Sequence, residues 1–331
     1  PRSRGLGDVY KRQSYNWMMQ FQITPKNYPW GWHLNDPAAW GGLAGYYTRG
    51  FKWSALYGAE SSLQVYVASH DTGWFIELGV KLYKVTGNET YLKAAELAAQ
   101  WALRIQVGYN DWLEKFKDFY ISPVKKDRSV EWHYSKGISF PEEVKGAFTE
   151  GMFVFSGIPP NFDGWGKGVD FAEPALWIAP EHTSPIARGL MELYKVTGNK
   201  TYLVAALRAI EFLLKMQRND GGVYTCYPPS AYGIRMGDTA EVAELLLTAY
   251  ELTGNKTYLE GGLLACEFML EKQSITLGGL PHLSTAGGSW RKNSYFTGDA
   301  AGAIEAWIKA YKLTNDEKYL QAALKAADFV L

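Results

Sequence analysis

Four short segments of the chain set an acidic residue in the same surroundings: His70-Asp71-Thr72-Gly73, Glu181-His182-Thr183-Ser184, Gly237-Asp238-Thr239-Ala240 and Gly298-Asp299-Ala300-Ala301. Carboxylates gathered in one cleft perturb each other's protonation, so one can give a proton while another accepts one or attacks. Cleavage of a glycosidic bond needs such a pair. Asp71, Glu181, Asp238 and Asp299 are therefore the candidate catalytic carboxylates. The competing reading is local. Asp is a favoured N-cap, and an acid in a first turn suits the helix dipole.

The flanking segments are rich in aromatic and hydrogen-bonding side chains. His70 and Trp74 flank Asp71; Asp163 and Trp165 precede Glu181 and His182; Tyr232 and Arg235 precede Asp238; His282, Trp290, Arg291 and Tyr295 precede Asp299. Sugar rings present apolar C–H faces and polar hydroxyls, so flat rings mixed with such groups make a fitting lining. These are the candidate substrate-binding residues. Asp71 leads the catalytic set, because His70 offers a proton partner, Gly73 a close backbone approach and Trp74 a stacking face. The five histidines form no HExxH pair, and no P-loop spacing is present. Neither a metal nor a cofactor is expected.

A repeat must position these residues. Tyr83-Lys84-Val85-Thr86-Gly87-Asn88-Glu89-Thr90-Tyr91-Leu92 recurs from Tyr194 to Leu203 and from Tyr250 to Leu259, and more loosely from Tyr311 to Leu320. The copies lie 111, 56 and 61 residues apart. The first spacing is about twice the second, which predicts a diverged copy between Gln106 and Pro180 and a further one before Asp71. Gly87, Gly198 and Gly254 suit the left-handed position that ends a helix; Asn88, Asn199 and Asn255 suit the N-cap of the next. Asn315 and Asp316 take those places in the fourth copy. The Asn-x-Thr triplets at Asn88, Asn199 and Asn255 match the glycosylation pattern but read as caps.

Each repeat is thus helix, tight turn, helix. The first helix is apolar nearly all round and the second amphipathic, which describes buried inner and solvated outer helices. The expected fold is all-α: an (α/α)n toroid of helical hairpins, an incomplete (α/α)6 barrel, with an open solenoid as the alternative. Inner helices should begin near Asp71, Thr183, Asp238 and Asp299, so that all four acids share one rim. Strands should be few and confined to loops. Residues 1–13 read as a polar tail and 14–331 as one toroid domain, truncated at its C-terminal end.

Composition narrows the partners. Lys plus Arg and Asp plus Glu number 34 each, so no net field draws nucleic acid or an anionic membrane. No run of about 18 apolar residues spans a bilayer. Two cysteines, Cys226 and Cys266, make no disulfide framework, although one bridge between them stays open. The compartment is open, with an extracellular or periplasmic place favoured. The expected partner is a carbohydrate.

The motif Tyr-x-x-Thr-Gly-Asn/Asp-x-x-Tyr-Leu resembles that of the six-hairpin glycosidase-like enzymes over roughly Asp71 to Leu331. His70-Asp71-Thr72-Gly73-Trp74-Phe75 resembles the His-Asp-x-Gly-Phe segment of unsaturated glucuronyl hydrolases, which implies a catalytic role for Asp71. The partner aspartate that those enzymes carry in a later repeat has no clear match here, so Glu181 or Asp238 would replace it. Gln217-Arg218-Asn219-Asp220-Gly221-Gly222 is similar to a segment of terpenoid cyclases and prenyltransferases, but their Asp-x-Asp-Asp motif is absent. So is the Cys-His-Gly zinc motif of lanthionine cyclase-like toroids. The resemblance implies a carbohydrate-active enzyme, a glycoside hydrolase or polysaccharide lyase or epimerase acting on a uronic-acid or neutral glycan. A non-catalytic toroid binding a glycan or protein, and a terpenoid cyclase- or prenyltransferase-like enzyme, are the alternatives.

Overall fold

A computed structural model describes residues 11–24, 40–53, 60–110, 121–126, 129–134, 142–156, 171–228, 233–285, 289–291 and 294–331. The helices, in chain order, are α1 (11–18), α2 (Ser69–Thr86), α3 (Glu89–Arg104), α4 (Pro180–Thr197), α5 (Lys200–Lys215), α6 (Met236–Thr253), α7 (Lys256–Lys272), α8 (Thr297–Thr314) and α9 (Glu317–Val330). No helix among the described residues is long and apolar enough to cross a membrane. From α2 onward they pair as hairpins, and the repeat motif forms each turn.

The turn chemistry is the same four times. Gly87, Gly198 and Gly254 have φ of 67°, 69° and 71°, and Asn315 has 56°. The residue before, Thr86, Thr197, Thr253 or Thr314, donates its hydroxyl to the carbonyl four residues back. The same hydroxyl accepts from the N–H of the coming cap. Asn88, Asn199, Asn255 and Asp316 then accept the N–H two residues on, at 3.0–3.1 Å. The motif tyrosines tie neighbouring second helices together. Tyr258 donates to Glu211 at 2.8 Å, and Tyr319 to Glu267.

Contacts divide the chain into two compact units. One holds residues 1–178 and 185–209, the other 179–184 and 210–331. The first contains strands where helical copies of the repeat were expected. β1 (Ala44–Trp53), β2 (Glu60–Ala68), β5 (Thr149–Ser156) and β6 (Phe171–Ile178) form an antiparallel sheet in the order β1-β2-β5-β6. β3 (Ile121–Lys126) and β4 (Ser129–Tyr134) pair separately. Among the described residues no complete helical hairpin lies between Gln106 and Pro180 or before Asp71; α1 alone precedes the first connection, and strands stand in the described part of both stretches. β2 ends one residue before α2 begins, and β6 ends two before α4. The strands thus occupy the connections that lead into first helices. The segment 11–18 is helical, and Tyr15 is buried against Phe75 with ring centroids 4.4 Å apart.

In the second unit α6 packs against both α7 and α8. Leu247, Met269, Ala303 and Trp307 are buried there, and the Trp307 indole donates to the Cys266 carbonyl at 3.2 Å. Cys226 and Cys266 are both free thiols. The open bridge between them does not form.

A side chain added at Gly198 would meet nothing within 4 Å, so only backbone strain opposes it. Gly198→Val should cost more than about 1 kcal/mol, whereas Gly198→Asn, which copies Asn315, should cost much less. Urea denaturation of both variants checks the pair. Equal stabilities would contradict the left-handed cap.

Candidate active site

The first helices begin at Ser69, Pro180, Met236 and Thr297, within three residues of the expected starts. The acids do not cap them. The N-cap residues of α2, α6 and α8 are Ala68, Arg235 and Phe296, none with a side-chain cap bond. Asp71, Asp238 and Asp299 are each the third residue of their helix, and Glu181 is the second of α4. In the first turn they lie near free N–H groups and the positive end of the dipole. Their side chains stay available for other partners.

The second unit gathers three of them. One terminal nitrogen of Arg235 meets both Glu181 Oε2 and Asp238 Oδ1. Arg235 Nε also donates to Asp238 Oδ1 at 3.0 Å. Asp299 accepts the N–H of Gly237, in the first turn of α6, and feels the Arg235 charge. Gly237 is needed there, since a Cβ would stand 2.7 Å from Asp299 Oδ1. His282 Nδ1 lies 2.8 Å from Asp299 Oδ2. The backbone sets this histidine: its N–H donates to Ser294 O at 2.8 Å and its carbonyl accepts from Met236 N–H at 2.9 Å.

Burial divides the roles. The Asp238 side chain is 1% exposed, against 27% for Arg235, 19% for Glu181 and 23% for His282. Burial pushes the Asp238 carboxyl well above the usual carboxylate range; Arg235 opposes the shift, and Glu181 and Glu241 add to it. Its Oδ2 has no hydrogen-bond partner among the described residues. Burial also raises Asp299, against the pull of His282 and Arg235. Burial disfavours the Arg235 charge, but Asp238 and Glu181 outweigh it and hold the guanidinium protonated. One guanidinium is thus shared between two desolvated carboxylates, of which Asp238 is the more buried.

In the first unit His70 Nδ1 lies 3.4 Å from Asp71 Oδ1, and the Trp74 indole donates to His70 Nε2 at 3.1 Å. That bond makes Nε2 an acceptor, so in the neutral ring Nδ1 carries the proton and faces Asp71. Arg188 lies over the Trp74 ring, 5.1 Å from its centroid. Asp71 and Trp74 line a half-open pocket of about 410 Å³ with Trp17, Met18, Phe21, Leu43 and Ala44. Gly73 approaches a helix and not a ligand: a Cβ on it would stand 2.5 Å from the Pro185–Ile186 backbone of α4.

The remaining candidates separate. His182 is buried, its Nε2 3.6 Å from Glu181 Oε1. Trp290 packs its ring toward Phe268 and Tyr295 toward Phe329. Arg291 is exposed. Asp163, Trp165 and Tyr232 lie outside the described residues. Sequence reasoning missed Trp17, Met18 and Phe21, because residues 1–13 read as a tail and no copy of the repeat motif covers residues 14–24. It also missed Glu241, one turn after Asp238, whose spacing was the available signal.

The fold is similar to the cellobiose 2-epimerase of Bacillus thermoamylovorans, at 15% identity and a TM-score of 0.53, covering 84% of this chain and 65% of the epimerase. These hairpins are of the (α/α)6 toroid type. An inactive variant of a Salegentibacter α-1,6-mannanase, bound to α-1,6-mannotriose, has a TM-score of 0.58 at 12% identity, covering 98% of this chain and 70% of that one. A family 76 glycoside hydrolase from a bovine Bacteroides thetaiotaomicron strain has 0.59 at 11%, covering 98% and 56%. The chain thus spans about two thirds or less of the epimerase and of the second hydrolase. Residues 183–236 match a family model described as pectic acid lyase. No curated protein matches the chain.

Asp238 keeps its proton to higher pH in the folded chain than in the unfolded one. Between those two pKa values the folded state binds more protons, so its stability falls as pH rises through that window. Asp238→Asn should lessen the fall, measured as urea midpoints from about pH 4 to about pH 8. An equally steep fall in the variant would show that Asp238 ionises as an ordinary aspartate.

Proposed function

We propose that this chain belongs to a carbohydrate-active enzyme that works by proton transfer on a glycan. The observation that carries the reading is the meeting of Glu181, Asp238 and Asp299 around Arg235, with His282 on Asp299. Hydrolysis, epimerisation and elimination of sugars all need a group that gives a proton and one that takes it. Glu181 and His282 are the exposed members and act as the proton-transfer pair. Asp299 holds His282 with Nδ1–H toward its carboxylate, which leaves Nε2 with its lone pair. Asp238 is too buried to touch a substrate and serves as a positioning residue that holds Arg235. Asp71 is the candidate catalytic carboxylate of the first unit, since it lines a pocket and caps no helix. The mannanases and the epimerase of like fold support a glycan substrate, and the partial lyase match agrees with that class.

The test is turnover by the full chain on mannan oligosaccharides, cello-oligosaccharides and oligogalacturonates. Glu181→Gln, His282→Ala and Asp71→Asn keep most of the local shape. Each should lower turnover about 100-fold or more with unchanged near-UV circular dichroism. If none of the three changes the rate on a converted substrate, the assigned chemistry is wrong.

A further inference from the structure

We infer that the pocket between the N-terminal helical segment and α2 is a subsite for one uncharged pyranose ring of the glycan. This rests on the carbohydrate reading above and deepens it at the pocket that Asp71 lines. Seven residues line it: Trp17, Met18, Phe21, Leu43, Ala44, Asp71 and Trp74. Its volume of about 410 Å³ falls within the range of small-ligand sites.

The chemistry of the lining selects the ligand. Trp17 and Phe21 stand one turn apart with ring centroids 4.6 Å apart. Trp17 leaves 60% of its surface exposed. Trp74 is also exposed, and its indole is fixed by His70 and by Arg188. Such held rings offer flat apolar faces at little cost in side-chain entropy. The one hydrogen-bonding side-chain group of the lining besides the indoles is the Asp71 carboxylate, an acceptor for sugar hydroxyls. Among the described residues it is also the one charged group in the lining, which holds no Lys or Arg. A uronic acid would bring a second carboxylate beside Asp71 with no lining cation to offset the repulsion. A neutral hexose ring has hydroxyls for Asp71 and C–H faces for the aromatics. Arg235, the cation of the other unit, is already paired with Glu181 and Asp238.

Isothermal titration of the full chain with mannotriose, cellotriose and trigalacturonate tests the inference. At least one neutral trisaccharide should bind, and trigalacturonate should bind at least about tenfold more weakly. Trp17→Ala should weaken the neutral sugar about tenfold, and Trp17→Phe should restore part of the loss. Trp17 is exposed, so the thermal midpoint should stay unchanged. Neutral binding unaltered in Trp17→Ala, or trigalacturonate binding as tightly as the neutral sugars, would overturn the subsite. Should turnover still depend on Glu181 in that case, the proposed function stands and the subsite alone fails. Absence of any glycan binding would overturn both.

Discussion

A glutamine side chain after each second helix joins every segment that leads into a catalytic candidate. Gln22, Gln106, Gln217 and Gln273 each donate their amide to two carbonyls. One is a glycine further along its own connection: Gly41, Gly146, Gly221 or Gly278. The other lies on the next second helix: Ala94, Ala205, Gly261 or Ala322. All four glycines have positive φ, and a Cβ on each would stand 2.1–2.3 Å from a carbonyl oxygen of that same helix, three residues beyond. Without the amide two carbonyls would lose a partner, a desolvation cost of about 1–3 kcal/mol each where buried. The connection is thereby pinned at its start. It is pinned again at its end, where Thr72 and Thr239 accept backbone N–H groups of Leu43 and Val223. Between those anchors a connection can be short or can carry strands, and the first helix still begins in the same place.

That tolerance explains what the sequence revealed. The Thr-Gly-Asn turns were legible because left-handed caps and side-chain caps demand few residue types. The helix starts followed from them, and each acid was placed to within a turn. The spacing of 111 residues was misleading. The described residues between Gln106 and Ile178 carry strands and no further hairpin, and a period alone cannot tell an insertion from a diverged copy. The N-caps were misassigned for a related reason. Aspartate is a good cap, but Ala68, Arg235 and Phe296 hold those places, and the backbone bonds of the connection decide it. Trp290 and Tyr295 lie beside the rings of Phe268 and Phe329, contacts that no sequence pattern announced. Trp17 lies outside the repeat, so nothing in the periodicity singled it out.

The candidate site follows from the same economy of position. Successive first helices bring a carboxylate to corresponding first turns. Three acids then face one arginine at the start of α6, with His282 delivered by the following connection. Water is largely excluded from Asp238, which pushes its carboxyl pKa up, and Arg235 is held between Asp238 and Glu181. The exposed pair, Glu181 and His282, works against a background that is already neutralised and fixed. Preorganised charge of this kind needs little rearrangement when a proton moves.

The raised pKa of Asp238 beside Arg235 is the feature on which this electrostatic balance turns. A carbon-13 NMR titration of the labelled aspartate carboxyls measures it directly, with the Asp238 resonance assigned by its loss in Asp238→Asn. Its midpoint is expected well above the ordinary aspartate value of about 3.9. A midpoint in the ordinary range would mean that burial does not govern Asp238, and would contradict this balance.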